Sequence, residues 1–192
     1  MKLKILNLVV FNIAWFACIL GAGSGNPWLG PIAVLISAVV HLYLLSFAAR
    51  VIALYIAAFI VGFASDWIVM LLGAVGFPEH ARLLTPVPLW MSFMWINFAT
   101  TLHFSMSWMN GRYLIAALFG LLGGPGAYYT GMKFDAITLG ESLFTSLFII
   151  GIQWALAMPL LVWLASFLRP DINDPGLPRV MNRSCNQQET TS

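Results

Sequence analysis

Asp66 is the residue whose surroundings in the sequence most clearly predict chemistry. It lies inside the long apolar segment 51–75. An ionisable side chain within a membrane-spanning helix costs about 2.5–3.5 kcal/mol to insert, so such a residue turns toward other helices and is a candidate functional group. We predict a proton or cation acceptor, or a substrate anchor. The structural alternative is a protonated carboxylic acid that is hydrogen-bonded between helices.

Small residues accompany Asp66 at helical spacing. Ala58 and Gly62 precede it by eight and four positions, and Gly73 follows by seven. These spacings place the small residues on the same helix face as the carboxyl group. Small side chains allow two membrane helices to approach closely. We therefore predict a close helix–helix contact along this face.

Other apolar segments carry polar residues that are candidate partners for Asp66. Asn97 and Thr101 are separated by four positions, and Asn97 lies at a depth similar to that of Asp66, which would allow the two to pair. Asn12 and Gln153 lie near the middle of the first and last apolar segments. These residues define a predicted central polar cluster. Simple hydrogen bonding between helices is the alternative role for each.

His41 and His103 are two further ionisable residues within apolar segments, at matched depth. Two such histidines are able to relay protons or to bind a metal ion. The chain has neither an HxxxH nor an HExxH motif. We therefore expect no metal site and no cofactor, and the alternative is that both histidines are structural.

Gly123, Gly124 and Pro125 predict a helix break in the fifth apolar segment. Proline removes a backbone donor, and neighbouring glycines leave carbonyl groups accessible. A broken membrane helix can expose backbone groups to a transported substrate. The alternative is a kink whose freed groups are satisfied by neighbouring helices.

The composition of the chain indicates where these residues must lie. Hydrophobic residues make up 60% of 192 positions and charged residues only 8%, whereas a soluble domain has about 25% charged residues. Too few charges remain to cover a water-facing surface. We predict an integral membrane protein whose main partner is the lipid bilayer, and no nucleic-acid partner.

Six apolar segments are long enough to cross a hydrocarbon core, which requires about 20 residues each. The predicted fold class is all-α: a polytopic integral membrane protein built as a compact bundle of about six transmembrane helices within residues 1–168. Residues 169–192 are predicted to form a disordered cytoplasmic tail. The predicted spans are 5–22, 28–48, 51–75, 88–109, 113–131 and 142–167.

The basic residues predict the orientation of these spans, because lysine and arginine are enriched in cytoplasmic loops. With the N-terminus inside, seven basic residues are cytoplasmic and only Arg82 and Lys133 lie outside. Both termini are then cytoplasmic. The cytoplasmic residues are Lys2, Lys4, Arg50, Arg112, Arg169, Arg179 and Arg183.

The first apolar segment has a second interpretation. Two lysines, an apolar run and small residues at 21–25 also fit a secretory signal peptide. The length of the run, together with Asn12 and Trp15, favours a retained helix. The other five spans keep their orientation in either case.

A series of motifs follows in order along the chain: Asn12-x-x-Trp15-Phe16, His41-Leu42, Gly62-x-x-x-Asp66, Pro88-Leu89-Trp90, Phe98-Ala99-x-Thr101-Leu102, Ser105-x-x-Trp108 and Gly124-Pro125-x-x-Tyr128. Together these motifs resemble the bacterial membrane proteins grouped as domain-of-unknown-function family 2878. The resemblance covers about residues 5–167 and implies a small multi-span inner-membrane protein of Gram-negative bacteria. It implies no catalytic or ligand residues. Members tend to be encoded near lipid-modifying enzymes of the cyclopropane-fatty-acid-synthase type, which implies a link to envelope lipids.

Three functional hypotheses follow from these observations. The first is a small permease-like or lipid-associated protein whose polar cluster around Asp66 and Asn97 contacts a proton, a small solute or a lipid head group. The second is a membrane-embedded lipid-modifying enzyme that uses His41, His103 and Asp66 as acid–base groups. The third is a non-catalytic scaffold for a lipid-modifying membrane enzyme, in which the polar residues serve assembly alone.

Overall fold

The protein folds as an all-α bundle, seen in a computed structural model that describes residues 2–44 and 49–169. The described part contains six α-helices and one short antiparallel pair of strands, β1 (Val75–Gly76) and β2 (Thr138–Leu139). The predicted all-α fold class and the six-helix bundle are confirmed. The helices are α1 (Lys2–Gly23), α2 (Leu29–Leu44), α3 (Ala49–Leu71), α4 (Leu89–Leu102), α5 (Tyr113–Lys133) and α6 (Leu143–Phe167).

The outer surface of the bundle is apolar, as expected for a protein surrounded by lipid. Large hydrophobic side chains point outward on several helices; Leu122 and Phe144, for example, are 76% and 80% exposed. Such a surface would be costly in water. Within the described residues, three helical segments are long and apolar enough to cross a membrane: Leu3–Gly23, Ala49–Leu71 and Leu143–Phe167. The protein is therefore membrane-associated.

Two helices end earlier than the predicted spans. Helix α4 ends at Leu102 rather than Met109, because the chain turns there: the backbone N–H groups of Phe104 and Met106 both bond to the carbonyl of Thr101, at 3.1 and 2.9 Å. Helix α3 ends at Leu71 rather than at residue 75. Gly73 follows it with φ of +70°, a backbone conformation that glycine adopts without strain.

The remaining helix limits lie close to the predicted spans. The predicted end of the second span, residues 45–48, lies outside the described residues, as does the predicted tail from residue 170 onward. Arg50, the predicted hairpin point, lies in the first turn of α3. Its guanidinium donates a hydrogen bond of 3.2 Å to the carbonyl of Arg169, which brings the start of α3 and the end of α6 together.

The helices pack as two groups. Helices α1 to α4 form one group, in which α1 packs on α2 and α4, and α3 packs on α4. Helices α5 and α6 form a tightly packed hairpin that joins this group mainly through contacts between α3 and α6. Helix α5 therefore packs chiefly on α6. This arrangement leaves a cleft between α5 and α1.

Two glycines allow a pair of stacked indoles to lie between the two groups. The rings of Trp95 on α4 and Trp154 on α6 are stacked, with centroids 4.3 Å apart and planes 14° apart. A Cβ atom at Gly62 of α3 would lie 2.0 Å from Cγ of Trp95, and one at Gly124 of α5 would lie 2.3 Å from Cγ of Trp154. Both glycines are therefore needed for the close approach of these helices, as predicted for Gly62.

We predict that Gly62→Ala destabilises the protein by about 1–3 kcal/mol, since the new methyl group would force the indole of Trp95 and the facing backbone apart. Thermal unfolding of the purified protein in detergent measures this effect. The matched control is Gly126→Ala on α5, where an added Cβ meets no atom within 4 Å and where alanine favours the helix. Equal stability of the two variants would contradict the prediction.

Candidate functional site

The carboxyl group of Asp66 is the centre of a buried hydrogen-bond network that joins four helices. Asp66 is 1% exposed. Its Oδ2 accepts a hydrogen bond of 2.8 Å from Nε1 of Trp95 on α4. Its Oδ1 accepts one of 2.5 Å from the hydroxyl of Tyr128 on α5 and one of 2.6 Å from Nε2 of Gln153 on α6. One side chain of α3 thus binds the three helices that surround it.

The local sequence explains why these donors reach the carboxyl group. Gly62 lies one helical turn before Asp66, so the indole of Trp95 can lie against α3 with its N–H directed at the next turn. Gly124 lies one turn before Tyr128 in the same way and provides space for Trp154, the neighbour of Gln153. The two small residues therefore set the positions of the donors as well as the distance between helices.

The network consists of one carboxyl group whose two oxygens accept hydrogen bonds from neutral donors. An indole N–H, a phenol O–H and an amide N–H all stabilise a carboxylate, because hydrogen bonds to a charged group are about twice as strong as those between neutral groups. None of the three partners carries a positive charge of its own. Gln153 also donates to Oγ of Ser65 at 3.1 Å, and its Oε1 has no hydrogen-bond partner among the described residues. The site is therefore able to accept a proton or attract a cation.

Asp66 lies nearer to the end of its helix than the sequence predicted. Five residues separate it from the end of α3 at Leu71, which is about 7.5 Å at 1.5 Å per residue. The prediction placed it near mid-depth because it extended the helix to residue 75. Asp66 therefore lies on the side of the bundle where β1 and β2 pair.

A cleft lies directly beside the network, between α1 and α5, with α4 and α6 behind them; we call it the α1–α5 cleft. Its volume is about 360 Å³. Trp95, Tyr128 and Trp154 form its inner wall, so two of the donors to Asp66 also face the cleft. The other lining residues are Phe11, Asn12, Trp15, Ile19, Trp90, Met91, Met94, Phe98, Met106, Phe119, Gly120, Gly123, Gly124, Gly126, Ala127, Thr130, Gly131, Ile137 and Met158.

Of the polar residues predicted to join Asp66, only Gln153 does so. Asn97 is fully buried, but its Nδ2 donates to the carbonyl of Phe11 at 2.9 Å, and the predicted pairing with Asp66 does not occur. Thr101 donates to the carbonyl three residues before it, at 2.7 Å. Asn12 donates to the carbonyl of Leu8, four residues before it, at 2.7 Å. These last two side chains satisfy their own helices, which is common for polar residues within helices.

The two histidines make separate contacts away from Asp66. His41 is buried, and its Nδ1 shares a hydrogen bond with the hydroxyl of Tyr55. His103 is the residue after α4, and its Nε2 lies 3.1 Å from the carbonyl of Ala165. Neither histidine hydrogen-bonds to Asp66. The three groups therefore do not form one acid–base site, and among the described residues no group of three or more potential metal ligands occurs.

The predicted helix break at Gly123, Gly124 and Pro125 is not observed, because α5 continues from Tyr113 to Lys133 through Pro125. The structural role of Gly124 is the close contact with Trp154 described above. Gly123 is exposed on the side of the α1–α5 cleft. The glycines therefore shape a surface instead of interrupting the helix.

The sequence did not identify Trp95 and Tyr128 as partners of Asp66. Aromatic residues of this kind in apolar segments are usually read as interface anchors or as core packing. One signal was present: Gly62–Asp66 and Gly124–Tyr128 are both pairs of a glycine and a polar residue one turn apart. Two such pairs on different helices indicate faces that can meet closely with polar groups between them.

Comparison with known proteins identifies one family. The family described as "Protein of unknown function (DUF2878)" matches residues 4–160 of the chain. The match includes all of the residues around Asp66 described above. No curated protein and no solved structure matches the chain with significant similarity.

We predict that Tyr128→Phe lowers the stability of the folded protein by about 1.5–3 kcal/mol, the usual contribution of a hydrogen bond to a charged group. The variant keeps the ring and removes only the hydroxyl that donates to Asp66. Thermal unfolding in detergent is the measurement. Tyr129→Phe is the matched control, since Tyr129 is 39% exposed. A Tyr128→Phe protein as stable as this control would show that the bond contributes nothing.

Proposed function

The chain belongs to the DUF2878 family of proteins of unknown function, and we propose that it is a multi-pass inner-membrane protein that binds the hydrocarbon chain of a lipid-type ligand in the α1–α5 cleft. The observation that carries this proposal is the position of the cleft, which is apolar, lies on the outer face of the bundle and adjoins the buried carboxyl group of Asp66. This is the lipid-associated form of the first hypothesis.

The dimensions of the cleft suit a single hydrocarbon chain. A volume of about 360 Å³ lies within the usual range of ligand pockets, about 300–1,000 Å³. Along α5 the lining extends from Phe119 to Gly131, which is about 18 Å at 1.5 Å per residue. One leaflet of a bilayer has a hydrocarbon thickness of about 15 Å, half of the usual core. A lipid chain in its normal orientation therefore matches the cleft in length.

The cleft is open to the side from which a lipid would enter. Gly123 and Gly126 line it and are exposed, and Phe119 is 44% exposed. The surrounding outer surface is apolar, so in a membrane the mouth of the cleft would face lipid chains. A ligand could then enter from the bilayer without crossing water.

The other two hypotheses have less support. A lipid-modifying enzyme that uses His41, His103 and Asp66 would need these groups around one substrate atom, whereas each makes its own separate contacts. A scaffold that uses its polar residues only for assembly has no need of a ligand-sized cleft beside them. Association with a lipid-modifying membrane enzyme is compatible with the present proposal, since such a partner would act on the bound chain.

The proposed topology has six spans with both termini in the cytoplasm. The distribution of basic residues supports this topology, because seven lie on the side assigned to the cytoplasm and only two lie outside. Two hydrogen bonds support a common end of the bundle for segments assigned to the cytoplasmic side. Oγ of Ser105 donates to Asn7 at 2.8 Å, and the guanidinium of Arg50 donates to the carbonyl of Arg169. The N-terminal helix therefore begins at the same end of the bundle at which α6 finishes.

We predict that Gly126→Leu reduces occupation of the cleft severalfold by filling it. An added Cβ at this position meets no atom within 4 Å, and leucine favours a helix more than glycine does, so the protein should fold normally. The measurement is photo-crosslinking with a phospholipid that carries a diazirine in one acyl chain, followed by mapping of the labelled residues. Wild-type protein should be labelled at Met94 more strongly than at outward-facing Leu156.

Leu122→Phe is the matched control for the filled cleft. Leu122 lies on the same helix, is 76% exposed and does not line the cleft. This variant should keep the wild-type labelling of Met94. Equal labelling of Met94 in wild type and Gly126→Leu would overturn the proposed ligand site.

We also predict the sidedness of two loops. Alkaline phosphatase fused after Arg82 should be active, because this enzyme functions only outside the cytoplasm, and a fusion after Arg112 should be inactive. Enzyme activity in intact cells, corrected for the amount of fusion protein, is the measurement. The reverse pattern would show that the bundle has the opposite orientation.

A further inference from the structure

We propose that the ligand of the α1–α5 cleft is a single-chain cationic amphiphile, whose positively charged end lies beside Trp95 and Tyr128 and whose chain fills the rest of the cleft. This inference rests on the proposed function and adds the charge of the ligand to it. Three observations carry it: the buried carboxyl group of Asp66, which bonds only to neutral donors, the aromatic lining of the cleft, and the position of the carboxyl group along it.

The first observation concerns charge. Asp66 is the only aspartate or glutamate in the six helices. The side chains that bond to it are an indole, a phenol and an amide, which are neutral. The nearest basic side chain along α5, Lys133, lies over the ring of Tyr129, 5.2 Å from its centroid. An ionised Asp66 therefore leaves a negative charge in a medium of low dielectric constant, where attraction to a cation is strong.

The second observation concerns the surface that the ligand would touch. The faces of aromatic rings attract cations, and Trp attracts them best. Trp15, Trp90, Trp95, Tyr128 and Trp154 all line the cleft. Trp95 and Tyr128 also donate hydrogen bonds to Asp66, and such bonds to an anion polarise the donor rings toward greater electron density. The carboxyl group of Asp66 and the aromatic rings that would contact a cation therefore lie side by side.

The third observation concerns position. Tyr128 lies three residues from Gly131, the end of the cleft lining on α5, and nine residues from Phe119 at the other end. About 13.5 Å of cleft therefore extends from the carboxyl group toward Phe119. A ligand with its charge at one end and a chain at the other fits this arrangement. An anionic lipid would be repelled by Asp66, and a neutral one would gain nothing from it.

The experiment compares two competitors that differ in charge. Wild-type protein in neutral detergent is incubated with the diazirine phospholipid and increasing amounts of hexadecyltrimethylammonium or of hexadecanol. Each competitor is corrected for its partition into protein-free micelles. We expect the cation to reduce labelling of Met94 at concentrations at least tenfold lower than the alcohol, equivalent to about 1.4 kcal/mol. Equal potency in the wild-type protein would overturn the proposal.

Variants locate the charge that causes the preference. Asp66→Asn should lose the tenfold preference while hexadecanol still competes. Asp135→Asn, which removes the same charge from an exposed position outside the cleft, should keep it. Preference retained in a folded Asp66→Asn protein would overturn the proposal. If the asparagine variant does not fold, the wild-type comparison decides alone. Absence of any labelling of Met94 in wild type would instead contradict the proposed function itself.

Discussion

The need to satisfy one buried carboxyl group is the constraint on which the arrangement of the bundle depends. In a membrane interior, helices gain little from burying apolar surface against one another, because lipid chains are equally apolar. Polar contacts and close packing must then specify which helices meet. Asp66 accepts hydrogen bonds from α4, α5 and α6 at once, and no other polar side chain described here links so many helices. The α5–α6 hairpin is thereby tied to the first four helices at a defined position.

Close packing makes this network geometrically feasible. The stacked indoles of Trp95 and Trp154 fill the space between α3 and α5, and a glycine on each of these helices allows the rings to lie against the backbone. Larger residues at Gly62 or Gly124 would move the donors away from Asp66 as well as separating the helices. Packing and hydrogen bonding are therefore coupled, because the same few residues supply both.

The cleft is a consequence of the same arrangement. The α5–α6 hairpin contacts the first four helices mainly where α6 packs on α3. Helix α5 therefore lies at the outer side of the bundle and does not close against α1. The residues that attach it, Trp95 and Tyr128, become the wall of the resulting space. The residues that hold the hairpin in place therefore also line the cleft for which we propose a ligand.

The sequence by itself determined the membrane character, the all-α fold class, the approximate helix limits and the position of Asp66 within an apolar helix, because these depend on composition and on local periodicity along one chain. It also named Gln153, which donates a hydrogen bond to Asp66, among the candidate partners. Only the tertiary structure decided that Trp95 and Tyr128 are partners of Asp66, that Asn97 bonds to α1 instead, and that His41 and His103 make separate contacts. The physical reason is that counting residues along a helix measures depth alone. Which face of one helix meets which neighbour depends on the packing of all six, and the ends of α3 and α4 depend on turns that the hydropathy of the chain does not reveal.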